Sequence, residues 1–207
     1  EIGEADRAFY SRRSIDPEYY FPFGMKELGG LANRGDHDLS RHQEFSGEDM
    51  RWLDPETGER FLPHVVEPTW GLTRSVLAVL SEHLDIDEAD TSEGDKEPRM
   101  VLRLPPRLAP VKAAILPLQK KDGLADIGRA ATQSLRQAGF VTEYDESGSI
   151  GKRYRRQDEI GTPWCFTVDY QTKEDRTVTV RDRDTMSQER VSLDELPAWL
   201  AQKLARA

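Results

Sequence analysis

The sequence predicts an α/β protein of two domains: an α+β domain with an antiparallel sheet over residues 1–80, and an α/β domain with a mixed, largely parallel sheet over residues 99–207. In the first part, short aromatic and β-branched runs are broken by proline and glycine, which is typical of paired strands. In the second part, apolar runs of strand length alternate with segments of helical periodicity, which favours a parallel sheet covered by helices. Residues 81–98 between them are dense in Asp and Glu, which predicts an acidic linker or a mobile insertion.

In the N-terminal part, the runs "YYFPFG" and "RFLPHVVEPTWG" predict strands whose ends are fixed by turns. A helix is predicted directly after Gly71, in "LTRSVLAVLSEHL". Leu72, Val76, Val79 and Leu80 recur there at helical spacing. This periodicity predicts a buried amphipathic helix.

In the C-terminal part, "VKAAILPL", "FVTEYDE", "PWCFTVDY" and "TVTVRDRD" predict four strands, and "SIGKRYRRQDEIG" predicts a helix between the second and the third. The helix "GLADIGRAATQSLRQAG" follows the first strand, with Asp122 as its expected N-cap and Gly139 as its expected left-handed C-terminal residue. The last helix, in "SLDELPAWLAQKLA", is expected to begin with a capping box formed by Ser192 and Glu195.

Composition restricts the classes of function. The formal net charge of −9 over 207 residues disfavours general coating of nucleic acid, so any site for a polyanion must be local. The single cysteine, Cys165, excludes an internal disulfide framework and a multi-thiolate zinc site, and its apolar neighbours predict a buried packing role. No apolar stretch approaches the length of a membrane span, and the charged first residues are unlike a signal peptide. We therefore expect a soluble, cytoplasmic protein with neither a membrane nor DNA as its partner.

A dense basic cluster stands out against this acidic background. Its members in the predicted helix are Lys152, Arg153, Tyr154, Arg155 and Arg156. Cations interleaved with an aromatic ring suit single-stranded RNA, although a charge run by itself is usually a solvated helix face. Arg156 could instead pair with Asp158 or Glu159. Arg181 could likewise pair with Asp182, so intramolecular ion pairs remain an alternative.

A second motif, "HVVEPTWGLTR", places Glu67 and Thr69 before the turn at Gly71, with Arg74 in the first turn of the following helix. The start of a helix presents free N–H groups, and an arginine there adds a planar fork of donors that suits phosphate oxygens. The motif predicts a phosphate or carboxylate pocket. An ion pair between Glu67 and Arg74 is the structural alternative.

Glu27 lies in a glycine-rich run and could bind Mg²⁺ together with the phosphates of a substrate. Further polar residues follow it: Arg34, Asp36, Asp38 and His42. Their spacing matches no standard zinc signature, so no tightly bound protein metal site is expected.

Five blocks of sequence resemble one known family. In order, they are "ELGGLANRGDHDLSRH", "VVEPTWGLTR", "LAPVKAAILPL", "GSIGKRYRRQDEIGTPWCFTVD" and "VTVRDRDTM". Together they resemble the second half of the catalytic domain and the anticodon-binding domain of class II glycyl-tRNA synthetases of the dimeric, archaeal and eukaryotic type. The resemblance implies a glycine–tRNA ligase that uses ATP with Mg²⁺ to form glycyl-adenylate and then charges tRNA(Gly). It also implies a homodimer.

The resemblance assigns roles residue by residue. "GLTR" resembles motif 3 of class II synthetases, so Arg74 would hold the γ-phosphate of ATP, and Glu27 would act on the nucleotide through Mg²⁺. The implied ATP-binding residues are Glu27, Leu28, Gly71, Leu72, Thr73 and Arg74. The implied glycine-binding residues are Glu67, Pro68, Thr69, Trp70 and Gly71. Glu67 would attract the ammonium group, and Thr69 replaces the usual serine of the family.

The implied anticodon-binding residues are Lys152, Arg153, Tyr154, Arg155, Arg156, Arg181 and Arg183. Motifs 1 and 2 of class II synthetases are not found in the sequence, and both would precede residue 1. A non-catalytic, synthetase-derived RNA-binding protein or a polymerase accessory protein of the same architecture is therefore the alternative. The presence of Glu27, Glu67 and Arg74 favours the enzyme.

Overall fold

The computed structural model describes residues 1–90 and 95–206, and it divides into two compact units, Glu1–Ser81 and Glu82–Ala207. Both units contain helices and sheets, which confirms the predicted α/β class. Within the described ranges, no helix is both long enough and apolar enough to cross a bilayer.

The N-terminal unit has an antiparallel sheet at its centre. Its elements are β1 (Arg13–Ile15), β2 (Glu18–Phe21), β3 (Gly24–Glu27), β4 (Gly29–Gly35), α1 (His37–Ser46), β5 (Trp52–Leu53), β6 (Arg60–Phe61), β7 (Val65–Trp70) and α2 (Leu72–His83). β4 lies between β1 and β7, and Ala32 faces Ser14 on one side and Glu67 on the other. β2 pairs with β3, and β5 pairs with β6, as antiparallel hairpins.

Helix α2 forms where it is predicted, but its expected apolar face is not buried. Leu72, Val76 and Leu80 are exposed, and the buried residue of the helix is Ala78. Since Ala78 lies about 160° around the helix from the centre of those three residues, α2 turns a different side towards the interior than its apolar pattern predicts.

The C-terminal unit is built on a five-stranded sheet. Its elements are β8 (Leu84–Asp90), β9 (Lys96–Leu102), β10 (Ala113–Pro117), α3 (Leu124–Gln137), β11 (Thr142–Tyr144), α4 (Ile150–Ile160), β12 (Trp164–Val168), α5 (Tyr170–Asp175), β13 (Thr177–Asp182), β14 (Gln188–Ser192) and α6 (Leu196–Arg206). The strand order is β11-β10-β12-β13-β14. β10, β11 and β12 run parallel, whereas β13 and β14 add antiparallel pairings, so the sheet is mixed. β14 is not predicted from the sequence.

Both faces of this sheet are covered. Along β10, Ile115 joins a cluster with residues of α3 and α6, whereas its neighbours Ala114 and Leu116 face Ile150 and Tyr154 of α4. Cys165 of the adjacent strand is buried in the second cluster, and burial raises the pKa of its thiol. Its predicted packing role is therefore confirmed.

The helix ends follow the predictions in part. Gly139 has a φ of 89°, as predicted for a left-handed position after α3. The predicted N-cap Asp122 is wrong, because Gly123 occupies the N-cap and the Asp122 carboxylate accepts a hydrogen bond from Tyr170 (2.8 Å). The predicted capping box at Ser192 is also wrong. Ser192 ends β14, its side chain makes no capping bond, and a 3-10 turn separates it from α6.

Of the two interpretations of residues 81–98, an unstructured linker does not fit the described residues, whereas a mobile insertion stays a prediction. Residues 84–90 and 96–102 pair as an antiparallel hairpin, in which Asp87 faces Arg99. Residues 91–94 of the same stretch lie outside the described residues. This acidic segment can form paired strands because arginine side chains neutralise Asp85 and Asp87. Arg99 binds Asp87, and Arg103 binds both Asp85 and Asp87, which lowers the pKa of Asp87 below its ordinary value, chiefly through the bond from Arg99.

Candidate active site and nucleic-acid interface

Arg74 lies in the first turn of α2, where the turn at Gly71 brings it beside the end of β3. Its side chain is 51% exposed, so the guanidinium group is open to a ligand. Arg74 Nη1 donates to the backbone carbonyl of Glu27 (2.6 Å) and lies 3.5 Å from the Glu27 carboxylate. The Gly71 N–H donates to the carbonyl of Leu28 (3.0 Å). The structure thus places the two sequence blocks implied in ATP binding next to each other.

Glu67 is held by a residue that the sequence analysis did not assign to the site. Arg34 of β4 donates from Nη1 to Glu67, and its Nε and Nη2 form a fork with Asp38 (2.6 and 2.8 Å). The proposed pair between Glu67 and Arg74 is therefore wrong, because each residue has a different partner. The sequence offered no signal for this bond, because Arg34 is on β4, Glu67 is on β7, and only the strand pairing brings them together.

Glu27, Glu67 and Thr69 line one cavity of about 210 Å³ in the N-terminal unit. Asp16 and Gly30 also line it, so three carboxylates surround a small space. Thr69 Oγ1 donates to the carbonyl of Gly30 (3.2 Å) across the β4–β7 pairing, which fixes the threonine side chain. A small, negatively lined cavity of this kind suits an ammonium group.

The other residues implied in substrate binding are close to Glu67 and Thr69 in the sequence, but they do not line this cavity. Pro68, Trp70, Leu72 and Thr73 are exposed at the end of β7 and the start of α2. Gly29 allows the close approach of β4 to this segment, since a Cβ there would lie 2.5 Å from the Thr69 carbonyl oxygen and 3.0 Å from the Trp70 ring.

The structure divides the predicted anticodon-binding residues into two groups. Arg153, Arg181 and Arg183 are buried, with 4%, 5% and 2% of their surface exposed. Arg153 donates to the carbonyls of Pro117 and Gly148, and Arg183 donates to those of Gly161 and Leu104. Burial disfavours direct RNA contact by these three arginines, because buried guanidinium groups must be paired and most of their donors are used internally. Their assignment to the anticodon site stays a prediction.

Four members of the cluster remain on or near the surface. Lys152 is exposed, and Arg156 is largely exposed and binds Asp145 (2.9 Å) rather than the partners considered from the sequence. Arg155 is half-buried, between Asp158 (3.5 Å) and Glu97 (3.4 Å). Tyr154 donates or accepts a hydrogen bond with Thr167 (2.6 Å), and the guanidinium of Arg181 lies 4.8 Å from the centre of its ring. Lys152 and Arg156 are thus the accessible cations of this helix.

Asp158 is the centre of the buried charges, and its role was missed from the sequence. Its side chain is fully buried and accepts two hydrogen bonds from Arg181 (2.9 and 3.1 Å). It also accepts from the fully buried Arg99 of β9 (3.3 Å) and from Arg155. The carboxylate therefore joins α4, β13 and the hairpin formed by β8 and β9. The partner of Arg181 is Asp158, not Asp182.

Comparison with known proteins shows which family the chain resembles. Residues 112–203 match a family model described as "Anticodon binding domain". The chain is 52% identical over 198 residues to a glycine–tRNA ligase of Bifidobacterium longum, covering 94% of this chain and 40% of that protein. It is 54% identical to the glycine–tRNA ligase of Corynebacterium efficiens (94% of this chain, 43% of that protein) and 50% identical to that of Clostridium tetani (99% and 42%).

The chain spans about two fifths of the length of these curated relatives. Over the region that it spans, the chain is therefore similar to class II glycyl-tRNA synthetases at about 50% identity, and residues 112–203 correspond to the anticodon-binding domain.

Proposed function

We propose that the protein is a glycine–tRNA ligase, which forms glycyl-adenylate from glycine and ATP and transfers the glycyl group to the 3′ end of tRNA(Gly). One observation supports this most strongly. The half-exposed Arg74 contacts Glu27, and Glu27 shares a small acidic cavity with Glu67 and Thr69. The names of the relatives, which share about half of their residues with this chain, agree with this proposal.

In the first step, a carboxylate oxygen of glycine attacks the α-phosphorus of ATP, and pyrophosphate leaves. The acidic cavity holds the glycine ammonium group through Glu67, with Asp16 and Glu27 nearby. Arg74, together with the free N–H groups at the start of α2, holds the phosphates and offsets their negative charge. Positioning and charge stabilisation are the main contributions that proteins make to phosphoryl chemistry of this type.

Mg²⁺ accompanies ATP in this proposal. Glu27 fits such an ion because it offers a single, half-exposed carboxylate, and Mg²⁺ usually keeps several waters and binds substrate phosphates. When bound, the ion neutralises phosphate charge. Within the described residues, no three His, Cys, Asp or Glu side chains are grouped so that they could hold a metal by themselves.

Thr69 is the residue that we propose for the selection of glycine. It presents a methyl group to the cavity, and its hydroxyl is held by the Gly30 carbonyl. A substrate side chain directed at Thr69 would meet this methyl group, whereas glycine has no side chain.

The second step requires tRNA, and we propose that the exposed cations of α4 contact its anticodon loop. Lys152 and Arg156 are accessible, and Arg155 is accessible in part. We extend the proposal to a homodimer that works in the cytoplasm, as the family resemblance implies.

The direct test is glycine-dependent exchange of pyrophosphate into ATP by the intact protein, followed by charging of tRNA(Gly). We expect exchange with glycine and none with alanine. If well-folded protein binds tRNA but supports no exchange, the catalytic proposal is refuted and a non-catalytic RNA-binding role is favoured.

Replacing both Lys152 and Arg156 with alanine should raise the KM for tRNA without changing pyrophosphate exchange. Each lost phosphate contact should also reduce the slope of log affinity against log salt by about 1. Arg176→Ala is the matched control, because Arg176 is an exposed arginine of the same unit that is paired with Asp194. If the KM for tRNA and the salt slope are both unchanged, Lys152 and Arg156 do not contact tRNA.

A further inference from the structure

Another cavity lies in the C-terminal unit, on the face of the five-stranded sheet that α3 and α6 cover. Its volume is about 430 Å³. Its floor is apolar and aromatic, and it is formed by Trp164 of β12, Val180 of β13 and Trp199 of α6. Helix α4 packs on the opposite face of the sheet, through Ile150 and Tyr154. The cavity is therefore separate from the cations of α4 that we propose for the anticodon loop.

The rim of this cavity is polar, and its charges do not balance. Glu189 of β14 and Lys203 of α6 pair with each other there (3.7 Å). Asp182, at the end of β13, has no ion-pair partner among the described residues. Its Oδ1 atom accepts bonds from the N–H groups of Asp184 (3.0 Å) and Thr185 (2.9 Å) and from the Thr185 hydroxyl (3.1 Å), whereas no described residue donates to Oδ2. Two carboxylates and one ammonium group give the rim a net charge of −1.

Trp164 adds an unsatisfied polar group to this cavity. Only 6% of its surface is exposed, and within the part of the chain that the structure describes nothing accepts a hydrogen bond from its indole N–H. An indole N–H that is shielded from water usually has a partner. Since Trp164 lines the cavity, a ligand bound there is placed to accept this hydrogen bond.

We propose that this cavity binds an arginine side chain of a second protein, with the guanidinium group at Asp182 and a peptide carbonyl accepting from Trp164. A guanidinium group is planar, so it can stack on an indole ring while it donates to a carboxylate oxygen. Lys203 shows that the site attracts a cation, because its Nζ lies 4.8 Å from the centre of the Trp199 ring. The partner is a basic segment of a protein, and its binding does not depend on the ligase reaction.

The charge of the rim favours a protein partner over RNA. A nucleotide would bring its phosphate close to Asp182 and Glu189, where like charges repel. Lys203 is the one cation among the described residues that line the cavity, and Glu189 already binds it. An arginine side chain instead neutralises the excess negative charge.

The test follows the indole N–H signals of tryptophan by NMR in the intact protein while an N-acetylated, C-amidated Gly-Arg-Gly peptide is added. We expect the signals of Trp164 and Trp199 to shift until they saturate, whereas those of Trp52 and Trp70 in the N-terminal unit stay in place. Trp164→Phe and Trp199→Phe identify the signals. The same peptide with citrulline, which has a similar shape to arginine but no charge, should cause little shift.

Two substitutions should change the affinity in opposite directions. Asp182→Asn keeps Oδ1 as the acceptor for the turn but removes the charge, so the Kd for the arginine peptide should rise about 10-fold. Lys203→Met removes the cation that competes for the Trp199 ring, so the Kd should fall about 2- to 5-fold. Asp194→Asn is the matched control and should leave the Kd unchanged, because Asp194 is an exposed carboxylate that pairs with Arg176 outside the cavity.

The gain in affinity of Lys203→Met separates binding at this cavity from a disturbed fold, which would only weaken binding. The proposal is overturned if the arginine peptide shifts neither signal, if the citrulline peptide binds equally well, or if Lys203→Met does not bind the arginine peptide more tightly. Saturable shifts with cytidine or guanosine, but not with the peptide, would assign the cavity to a nucleobase and would also overturn the proposal. Each of these outcomes leaves the ligase proposal to be decided by pyrophosphate exchange.

Discussion

Replacing Asp158 with alanine is expected to lower the free energy of unfolding of the C-terminal unit by about 3–5 kcal/mol. Asp158 is fully buried and accepts hydrogen bonds from Arg181 and from the fully buried Arg99. Removing the carboxylate would leave Arg181 buried without its charged partner, and Arg99 with Asp87 as its remaining carboxylate. An unpaired charge in the interior costs far more than the loss of an exposed ion pair.

Unfolding in urea, followed by tryptophan fluorescence, should report this change, because Trp164 and Trp199 pack in the core of the same unit. Asp194→Ala is the control. Asp194 also pairs with an arginine in this unit, but both side chains are largely exposed, so its removal should leave the unfolding midpoint nearly unchanged. The unfolding midpoint of Asp158→Asn should fall between those of Asp158→Ala and Asp194→Ala, because the amide keeps one hydrogen-bond acceptor but lacks the charge. Equal midpoints for Asp158→Ala and Asp194→Ala would contradict the assigned role of Asp158.

The basic helix α4 shows that a sequence pattern identifies a cluster of charged residues more readily than it identifies what those residues bind. Helix α4 buries Arg153, Gln157 and Asp158, which are all polar. Hydrophobic periodicity therefore gives no sign of which side faces inward. Its buried Arg153 donates to the carbonyl of Pro117 on β10, and only the folded chain brings these two residues together.

The hairpin of β8 and β9 was mistaken for a linker for a related reason. Its acidic residues are typical of a solvated segment in the sequence, because the arginines that neutralise them come later in the chain. Arg99 is on the opposite strand and Arg103 lies just beyond it. By contrast, β10 and α3 could be predicted, because their apolar residues form an uninterrupted buried strand and a regular helical stripe. β14 is a mostly polar edge strand with no fully buried residue, so it offered no comparable signal.

Short motifs indicated which residues form the candidate active site, but they did not indicate which arginine pairs with which carboxylate. The resemblance named Glu27, Glu67 and Arg74, and the structure places Arg74 against Glu27 and opens Glu67 to the same cavity as Glu27. Which carboxylate each arginine binds depends on strand register. Ala32 of β4 faces Glu67 of β7, so Arg34, two residues further along β4, lies within reach of Glu67.

Replacing Arg74 with alanine should reduce glycine-dependent pyrophosphate exchange by about 10²- to 10³-fold, the usual effect of losing one group that stabilises transition-state charge. The fall should be mainly in kcat, because the charge that Arg74 offsets grows as pyrophosphate leaves. Binding of tRNA should be largely unchanged, because the residues that we propose for the anticodon contact are in the other unit. The measurements are steady-state exchange kinetics and tRNA binding by the intact protein.

Arg60→Ala provides the matched control for Arg74→Ala, since Arg60 is a similarly exposed arginine of the same unit that pairs with Asp49 away from the cavity. The Arg74→Lys variant keeps the positive charge but removes the planar guanidinium group, so it tests the two contributions separately. If the planar fork is needed to bind phosphate oxygens while Nη1 holds the Glu27 carbonyl, lysine should restore only a small part of the exchange rate. If the contact with the Glu27 backbone is merely structural, Arg74→Ala should lower the melting temperature and leave exchange at a normal rate below it, which would refute the motif 3 role of Arg74.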